Sequence, residues 1–353
     1  MVTLYVISTT PYAGKSALCV ALGRRFRRDG HKVGYMRPVT TTVARIKEHM
    51  VDAEAELMRQ NLDLKEAADL IWPVCLDPHV VESILHGDRH DYAKVVGDAF
   101  AKISKDKDVM LVEGGSTLTE GSMIDLSCKE ISEQLLTKSL VMAKYSSEST
   151  VDDLLAARKW LGAHMIGAVL DAVERPRMDF VQNVVVPFLA SHGIPVYASL
   201  PLERIFSSIT VGQLAEALQG EIICRPDLAN ELVENLMVGA MSVDASLAYF
   251  RRKLNKAVIT GGDRPDIQLA ALETSTRALV LTGNFYPNPL IVSRAEEAGV
   301  PIILVKHDTL TTVQLSEQAF EQIRFHHERK LERFERILAE RFRFDDLYKD
   351  LGL

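Results

Sequence analysis

The chain has 353 residues, of which 47% are hydrophobic and 25% charged, and a net charge of −7. That is the balance of an ordinary globular protein with room for two cores, and its acidity gives no electrostatic case for nucleic acid or an anionic membrane. No apolar run approaches the ~20 residues that span a bilayer, and the first residues carry no basic leader. Cys19, Cys75, Cys128 and Cys224 are scattered without a CxxC spacing. This pattern suits a reducing cytoplasm and argues against a zinc or disulfide framework.

The chain opens on the strand pattern VTLYVIS, then the loop TTPYA, then GKS at the head of the helix-length stretch KSALCVALGRRFRRDG. Strand, short loop and helix in that order present backbone N–H groups and a helix N-terminus to an anion. The usual G-x-x-x-x-G-K-[ST] pattern has glycine five residues before Gly14, where this chain has Thr9. The context still predicts a phosphate site, with Lys15 on the β- and γ-phosphates and the Ser16 hydroxyl on Mg²⁺. The alternative is a plain strand-to-helix turn. The helix closes on Gly30, and Arg24, Arg25, Arg27 and Arg28 read as a solvated end that complements the dipole.

Further strands are predicted at KVGYM, VMLVEG, SLVMAKY, MIGAVLD and PVYASLP. Their near-continuous apolar character implies a mostly parallel sheet covered on both faces by helices. Arg37 follows KVGYM and is aimed by Pro38; it serves either to neutralise a transferred phosphoryl group or as a surface ion-pair partner. Asp52 opens a helix, either as a metal ligand or as an N-terminal helix acid. Glu113 ends VMLVE at the carboxyl edge where open α/β sheets bind ligands, with Gly114 and Gly115 leaving space beside it. Mg²⁺ takes hard oxygen ligands, so Ser16, Asp52 and Glu113 are the metal candidates.

After about residue 222 the pattern restarts. The stretches LANELVENLMVGAM and SVDASLAYFRRKL read as helices, followed by strands KAVITGG, RALVLTG and PIILVK. This predicts a smaller α/β domain over 223–313 behind a first domain over 1–222. Gly261, Gly262, Asp263 and Arg264 form a strand-to-helix turn that either exposes N–H groups to a ligand or is capped by Asp263, and Arg264 and Asn284 stand at strand ends. From residue 314 to 353 the chain is strongly charged. Phe320, Ile323, Leu331, Phe334, Leu338 and Phe342 space one long amphipathic helix whose stripe packs on the body or on a second copy. His326 and His327 are adjacent, a poor geometry for a shared metal.

The order STTPYAGKS, GYMRPV, DAEAELM, VEGG and GAVLDAV resembles the P-loop domain of dethiobiotin synthetase and cobyrinic-acid amide synthetases. In those proteins the leading glycine is also displaced, and Ser8 would hold its position. AVITGGDRPDIQLAALETS and ALVLTGNFYPNP are similar to the DRTGG domain, and LVENLMVGAMSVDASLAYFRR and GVPIILVKHDTLTTV support it. The two domains in this order resemble the N-terminal regulatory region of long phosphotransacetylases over roughly residues 2–313.

The resemblance implies ATP and Mg²⁺ as ligands, with Thr10, Ala13, Gly14, Lys15, Ser16 and Ala17 around the phosphates. Asp52 and Glu113 complete the metal site, and Arg37 stands where dethiobiotin synthetases have a catalytic lysine. Asp171 replaces the family's adenine-reading Asn; a carboxylate accepts from the adenine amino group but does not donate to a ring nitrogen. The substrate loops of dethiobiotin synthetase are not reproduced, no G-x-C-x-G nucleophile site occurs, and an acetyltransferase domain would need a few hundred more residues. The expectation is a Mg–ATP-binding protein whose second domain senses a small effector at Gly261, Gly262, Asp263, Arg264 and Asn284. It is expected to be a homodimer, with a separate metabolic enzyme as a candidate partner. The alternatives are an ATP-dependent ligase or ATPase and an assembly protein with a vestigial loop.

Overall fold

The computed structural model describes residues 1–41, 43–46, 49–321 and 327–353, with the side chains of residues 44–46, 49, 50 and 321 left aside. The chain divides into two compact units: Met1–Leu202 together with the C-terminal helices, and the segment that begins at Glu203.

In the first unit, β1 (Val2–Ser8), β2 (Val33–Met36), β3 (Val109–Glu113), β4 (Lys138–Lys144), β5 (Met165–Val173) and β6 (Val196–Pro201) form one sheet. These are the six expected runs. They lie in the order β6-β5-β4-β1-β3-β2, and every pairing is parallel. Leu4, Tyr5, Val6 and Ile7 are all buried. Successive side chains of a strand point to opposite faces, so both faces are covered. At β1 the topology switches direction, with β3 and β2 on one side and β4, β5 and β6 on the other, so the crevice for a ligand opens at its carboxyl end.

Helix α1 (Lys15–Arg28) leaves that end and buries most of its circumference, Leu18, Cys19, Leu22 and Phe26 included. It stops as expected, with Asp29 as its last cap and Gly30 at φ 94°. Helix α2 (Ala53–Leu62) crosses it closely: a Cβ on Gly23 would stand 2.7 Å from the Leu62 methyls. The arginine cluster is not merely solvated. Arg24 bonds the Asn61 amide oxygen and Glu335 at 3.0 Å, Arg27 donates to the Leu62 carbonyl, and Arg25 pairs with Asp29 at 2.6 Å.

The second unit holds β7 (Glu221–Cys224), β8 (Asn235–Val238), β9 (Lys256–Gly261), β10 (Thr276–Thr282) and β11 (Ile302–Leu304), in the order β7-β11-β10-β9-β8. Only β7 runs antiparallel among these described strands. Val258, Leu279, Leu281 and Ile302 face one core, while Ala257, Ile259, Val280 and Ile303 face the other. The helix expected at LANELVENLMVGAM is instead strand β8. Its apolar run is short and ends at Gly239, and pairing Asn235–Val238 with Lys256–Ile259 satisfies its backbone along the sheet edge. Helices α3 (Pro265–Leu272), α4 (Pro289–Ala298) and α5 (Thr309–Glu321) follow β9, β10 and β11.

The single long C-terminal helix is corrected. Helix α5 ends its described span at Glu321, and His327 is extended (φ −102°, ψ 128°) and caps a new helix, α6 (Glu328–Arg341), before α7 (Phe344–Leu351). Ile323 and His326 lie outside the described residues. The expected stripe is divided: Phe320 packs on the second unit's core, whereas Leu331, Phe334 and Leu338 are buried in the first unit, where α6 lies on α1 and β6. Phe342 stacks on Tyr197 at 5.8 Å, and Arg343 donates to the Tyr197 and Val196 carbonyls at 2.9 and 2.6 Å. The described residues of the stripe therefore pack within the chain. Among the described residues no helix is long and apolar enough to cross a membrane.

Candidate nucleotide site

The β1–α1 loop turns through left-handed backbone at Tyr12 (φ 54°) and Gly14 (φ 84°), and Gly14 is the helix N-cap with no side-chain cap bond. Left-handed backbone is strained for a residue with a Cβ, which is why glycine precedes Lys15. Ala13 and Ala17 are fully buried beneath the loop, and the Thr10 carbonyl accepts from Ser8 Oγ at 2.8 Å.

Lys15 is buried, and its Nζ donates to Ser8 Oγ at 2.7 Å. Burial pushes its ammonium below the ordinary value and Arg37 adds to that, against the attraction of Glu113 and Glu120. Ser16 Oγ donates to Glu113 Oε1 at 2.7 Å, and Tyr35 Oη donates to Glu113 Oε2 at 2.9 Å. Burial raises the Glu113 carboxyl, with Arg37, Lys15 and the Ser16 bond pulling it back.

Arg37 and Asp52 meet behind this pair. Arg37 Nη1 lies 3.5 Å from Asp52 Oδ1, both side chains being buried. Burial works against the guanidinium charge, but Glu113 and Asp52 outweigh it and hold Arg37 above its ordinary value. Asp52 also caps α2 through Ala55 N at 2.9 Å and accepts from Thr40 Oγ1, so the helix-acid role is filled. Among the described residues no three His, Cys, Asp or Glu side chains form a metal cage. Ser16 and Glu113 are nevertheless a hard oxygen pair in contact, which suits an ion that keeps waters and phosphate oxygens as its other ligands.

On the opposite side of β1, Asp171 stands near the carboxyl end of β5 in register with Lys144, and its carbonyl accepts from Tyr145 N at 2.8 Å. Its Oδ2 lies 3.6 Å from the point a Gly14 Cβ would occupy, so the carboxyl abuts the phosphate loop. Burial raises it to about 7, against the Ala172 N–H and Lys144. Ala172 itself is left-handed (φ 56°).

The second-unit candidates gather at the carboxyl edge of its sheet, with several of their groups already engaged. Gly262 N bonds Thr282 O at 3.2 Å and Arg264 N bonds Gly261 O at 3.1 Å. A Cβ on Gly262 would fall 2.2 Å from the Phe285 carbonyl oxygen, so that glycine admits a neighbouring turn. Arg264 forks onto Asp266 at 3.0 and 2.9 Å. Asp263 does not cap α3, whose N-cap Arg264 has no side-chain cap bond, and Asn284 is left-handed (φ 58°).

Sequence reasoning missed Ser8 as the partner of Lys15, Tyr35 and Thr40 as the hydroxyls that hold the two carboxylates, and Glu120. Glu120 Oε2 accepts from Ser116 N at 2.6 Å in the loop after β3. Its only signal was a carboxylate shortly after a Gly-Gly pair at a strand end.

A family model described as an AAA domain matches residues 2–210, and a DRTGG domain model matches residues 213–319. The phosphate acetyltransferase of Nitratidesulfovibrio vulgaris is 22% identical over 349 residues, covering 93% of this chain and 48% of its own length. That of Synechocystis is 21% identical over 325 residues, covering 85% and 44%. The chain thus spans about half the length of the curated relatives it matches. A solved structure of the CBS and DRTGG domains of the regulatory region of Clostridium perfringens pyrophosphatase, complexed with the activator diadenosine tetraphosphate, matches at 24% identity. It covers 31% of this chain and 46% of that one, with a TM-score of 0.28. With the phosphate-loop sheet inside the first match and the second sheet inside the other, the chain belongs to the AAA domain family and carries a DRTGG domain behind it.

Proposed function

We propose that this chain binds Mg–ATP at the β1–α1 loop and that its DRTGG domain takes a small effector, in a cytoplasmic setting. The observation that carries the first part is a set of buried polar atoms in and beside the loop without hydrogen-bond partners among the described residues: Thr9 Oγ1, Thr10 Oγ1 and Arg37 Nε. Each costs about 1–3 kcal/mol if left unmet, a cost that phosphate oxygens would remove.

Lys15 would exchange Ser8 Oγ for β- and γ-phosphate oxygens, and α1 would direct its free N–H groups at the same anion. Ser16 and Glu113 would hold Mg²⁺, which when bound supplies positive charge next to the phosphates. Asp52 would act through Arg37, fixing the guanidinium toward Glu113. Asp171, on the far side of β1, would meet the base. In this reading the chain's residues serve nucleotide binding rather than acetyl transfer.

A second reading, ATP-dependent ligase or ATPase chemistry, is favoured by Arg37: a buried cation held between two carboxylates beside Lys15 suits charge developing on a transferred phosphoryl group. The test is calorimetric titration of the intact chain with Mg–ATP and Mg–GTP, with phosphate release followed on the same samples. Saturable ATP binding supports the proposal, and steady release adds the second reading. Absence of binding to either nucleotide sinks both. The effector part is tested by metabolites that shift the ATP affinity, since coupling between two sites is reciprocal.

A further inference from the structure

The two helices that carry phosphate-site residues at their starts are tied together at their far ends. Helix α1 begins at Lys15 and Ser16, and α2 begins beside its N-cap, Asp52. About two and a half turns further along α1, Arg24 binds three partners at once. They are the Asn61 amide oxygen on α2, and Glu335 at 3.0 Å and Glu328 at 3.3 Å on α6. Arg27 adds a bond to the carbonyl of Leu62, the last residue of α2. The close approach of Gly23 to the Leu62 methyls leaves no slack between α1 and α2, so a shift of one helix displaces the other.

The tail grips the same stretch of α1. Leu331, Phe334, Ile337 and Leu338 bury the inner face of α6. In α7, Tyr348 Oη donates to Asp29 and its ring lies 5.5 Å from that of Phe26, while Arg25 stands 4.9 Å from the Phe344 ring centroid. Helix α6 also packs on β6, where Arg343 donates to the Val196 and Tyr197 carbonyls. The chain enters the second unit after β6, at Glu203, and it comes back to the first unit at α6. The strand that leads out and the helix that leads in are therefore fastened to each other, and the helix to α1. The ion pairs in this fastening are wet: 26% of the Arg24 side chain is open to solvent, as are 27% of Glu335 and 60% of Glu328. Such pairs hold weakly, so the docking of α6 is a balance that a ligand at either end can bias.

We infer that α6 is a coupler between the phosphate site and the second unit, with Arg24 as its contact to α1 and α2. This rests on the nucleotide-site reading and adds the regulation of that site. Arg24 touches no phosphate; it is a positioning residue that acts through the two helices. A nucleotide that draws Lys15 and Ser16 onto its phosphates shifts α1, and α2 with it, and so favours one docked arrangement of α6. By reciprocity, whatever holds α6 in that arrangement from the second unit raises nucleotide affinity.

The experiment measures amide hydrogen exchange and Mg–ATP affinity on the intact chain as wild type, Glu335→Gln, Arg24→Gln and the double variant. In the wild type, saturating Mg–ATP should slow exchange about tenfold in α6 and in α5, the last described helix of the second unit. E335Q should lose both effects yet keep the slowing at the start of α1, and its affinity should fall about threefold. The double variant should bind no more weakly than R24Q, because the two side chains act through one contact. Nucleotide binding that leaves α6 exchange unchanged in the wild type overturns the inference, as does slowing in α6 without slowing in α5. Wild-type affinity in both single variants, or additive losses in the double variant, makes α6 a passive brace and also overturns it. Failure of the wild type to bind Mg–ATP is a different result: it removes the site reading itself, and the inference with it.

Discussion

Arg37 and Asp171 show how burial at one sheet edge gives charged groups opposite roles. Arg37 is a buried cation flanked by Asp52 and Glu113, so Arg37→Met leaves two carboxylates buried without their counter-charge. The expected cost is about 3 kcal/mol, because breaking a buried ionic cluster strands the remaining charges. Urea unfolding measures it, and a variant as stable as the wild type would show that the cluster is solvated. Asp171 is raised from its ordinary 3.8 to about 7 by burial. Between those values the folded state holds a proton that the unfolded state has released, so the carboxyl makes stability fall as pH rises through this window. Asp171→Asn removes that dependence. The difference in stability between variant and wild type should move in the variant's favour from pH 5 to pH 8, and a constant difference would contradict the assignment. A protonated Asp171 would also have the donor that a carboxylate lacks.

Elements differ in how far the sequence reveals them. The six strands of the first sheet are legible because each is a β-branched, nearly unbroken apolar run between polar turns. β8 was misread because the leucines of LANELVENLMVGAM also suit a helical spacing, and only pairing with Lys256–Ile259 distinguishes the two. The end of the long tail helix was hidden for the same reason: its spacing continues through His327, where the backbone is extended. At the site, Lys15, Ser16 and Glu113 were legible from a loop motif and a strand end. Ser8, Tyr35, Thr40 and Glu120 were not, because their roles come from neighbours that the fold brings in from elsewhere in the chain. The tail gives the prediction at this scale. Phe334 is 1% exposed in α6, which packs on α1 and β6. Phe334→Ala should cost about 3–5 kcal/mol, read as a lowered melting temperature, as for other buried aromatic deletions. No change would mean that α6 does not stay docked on its unit.

For the whole molecule, the chain order matters as much as either sheet. The first unit is completed only after the second has been made, when α6 and α7 return to β6 and to the phosphate-loop helix α1, where Arg24 bonds Glu335 at 3.0 Å. The family match assigns the two successive domains, and the proposal gives the first a nucleotide and the second an effector. That account stands on the phosphate loop, and its most direct test is calorimetric titration of the intact chain and its Lys15→Ala variant with Mg–ATP. The predicted result is saturable binding by the wild type and a loss of about 100-fold or more in the variant, as expected for charge-assisted hydrogen bonds to phosphate, with an unchanged circular dichroism spectrum. Equal affinity in the two proteins, or no binding by the wild type, would contradict it.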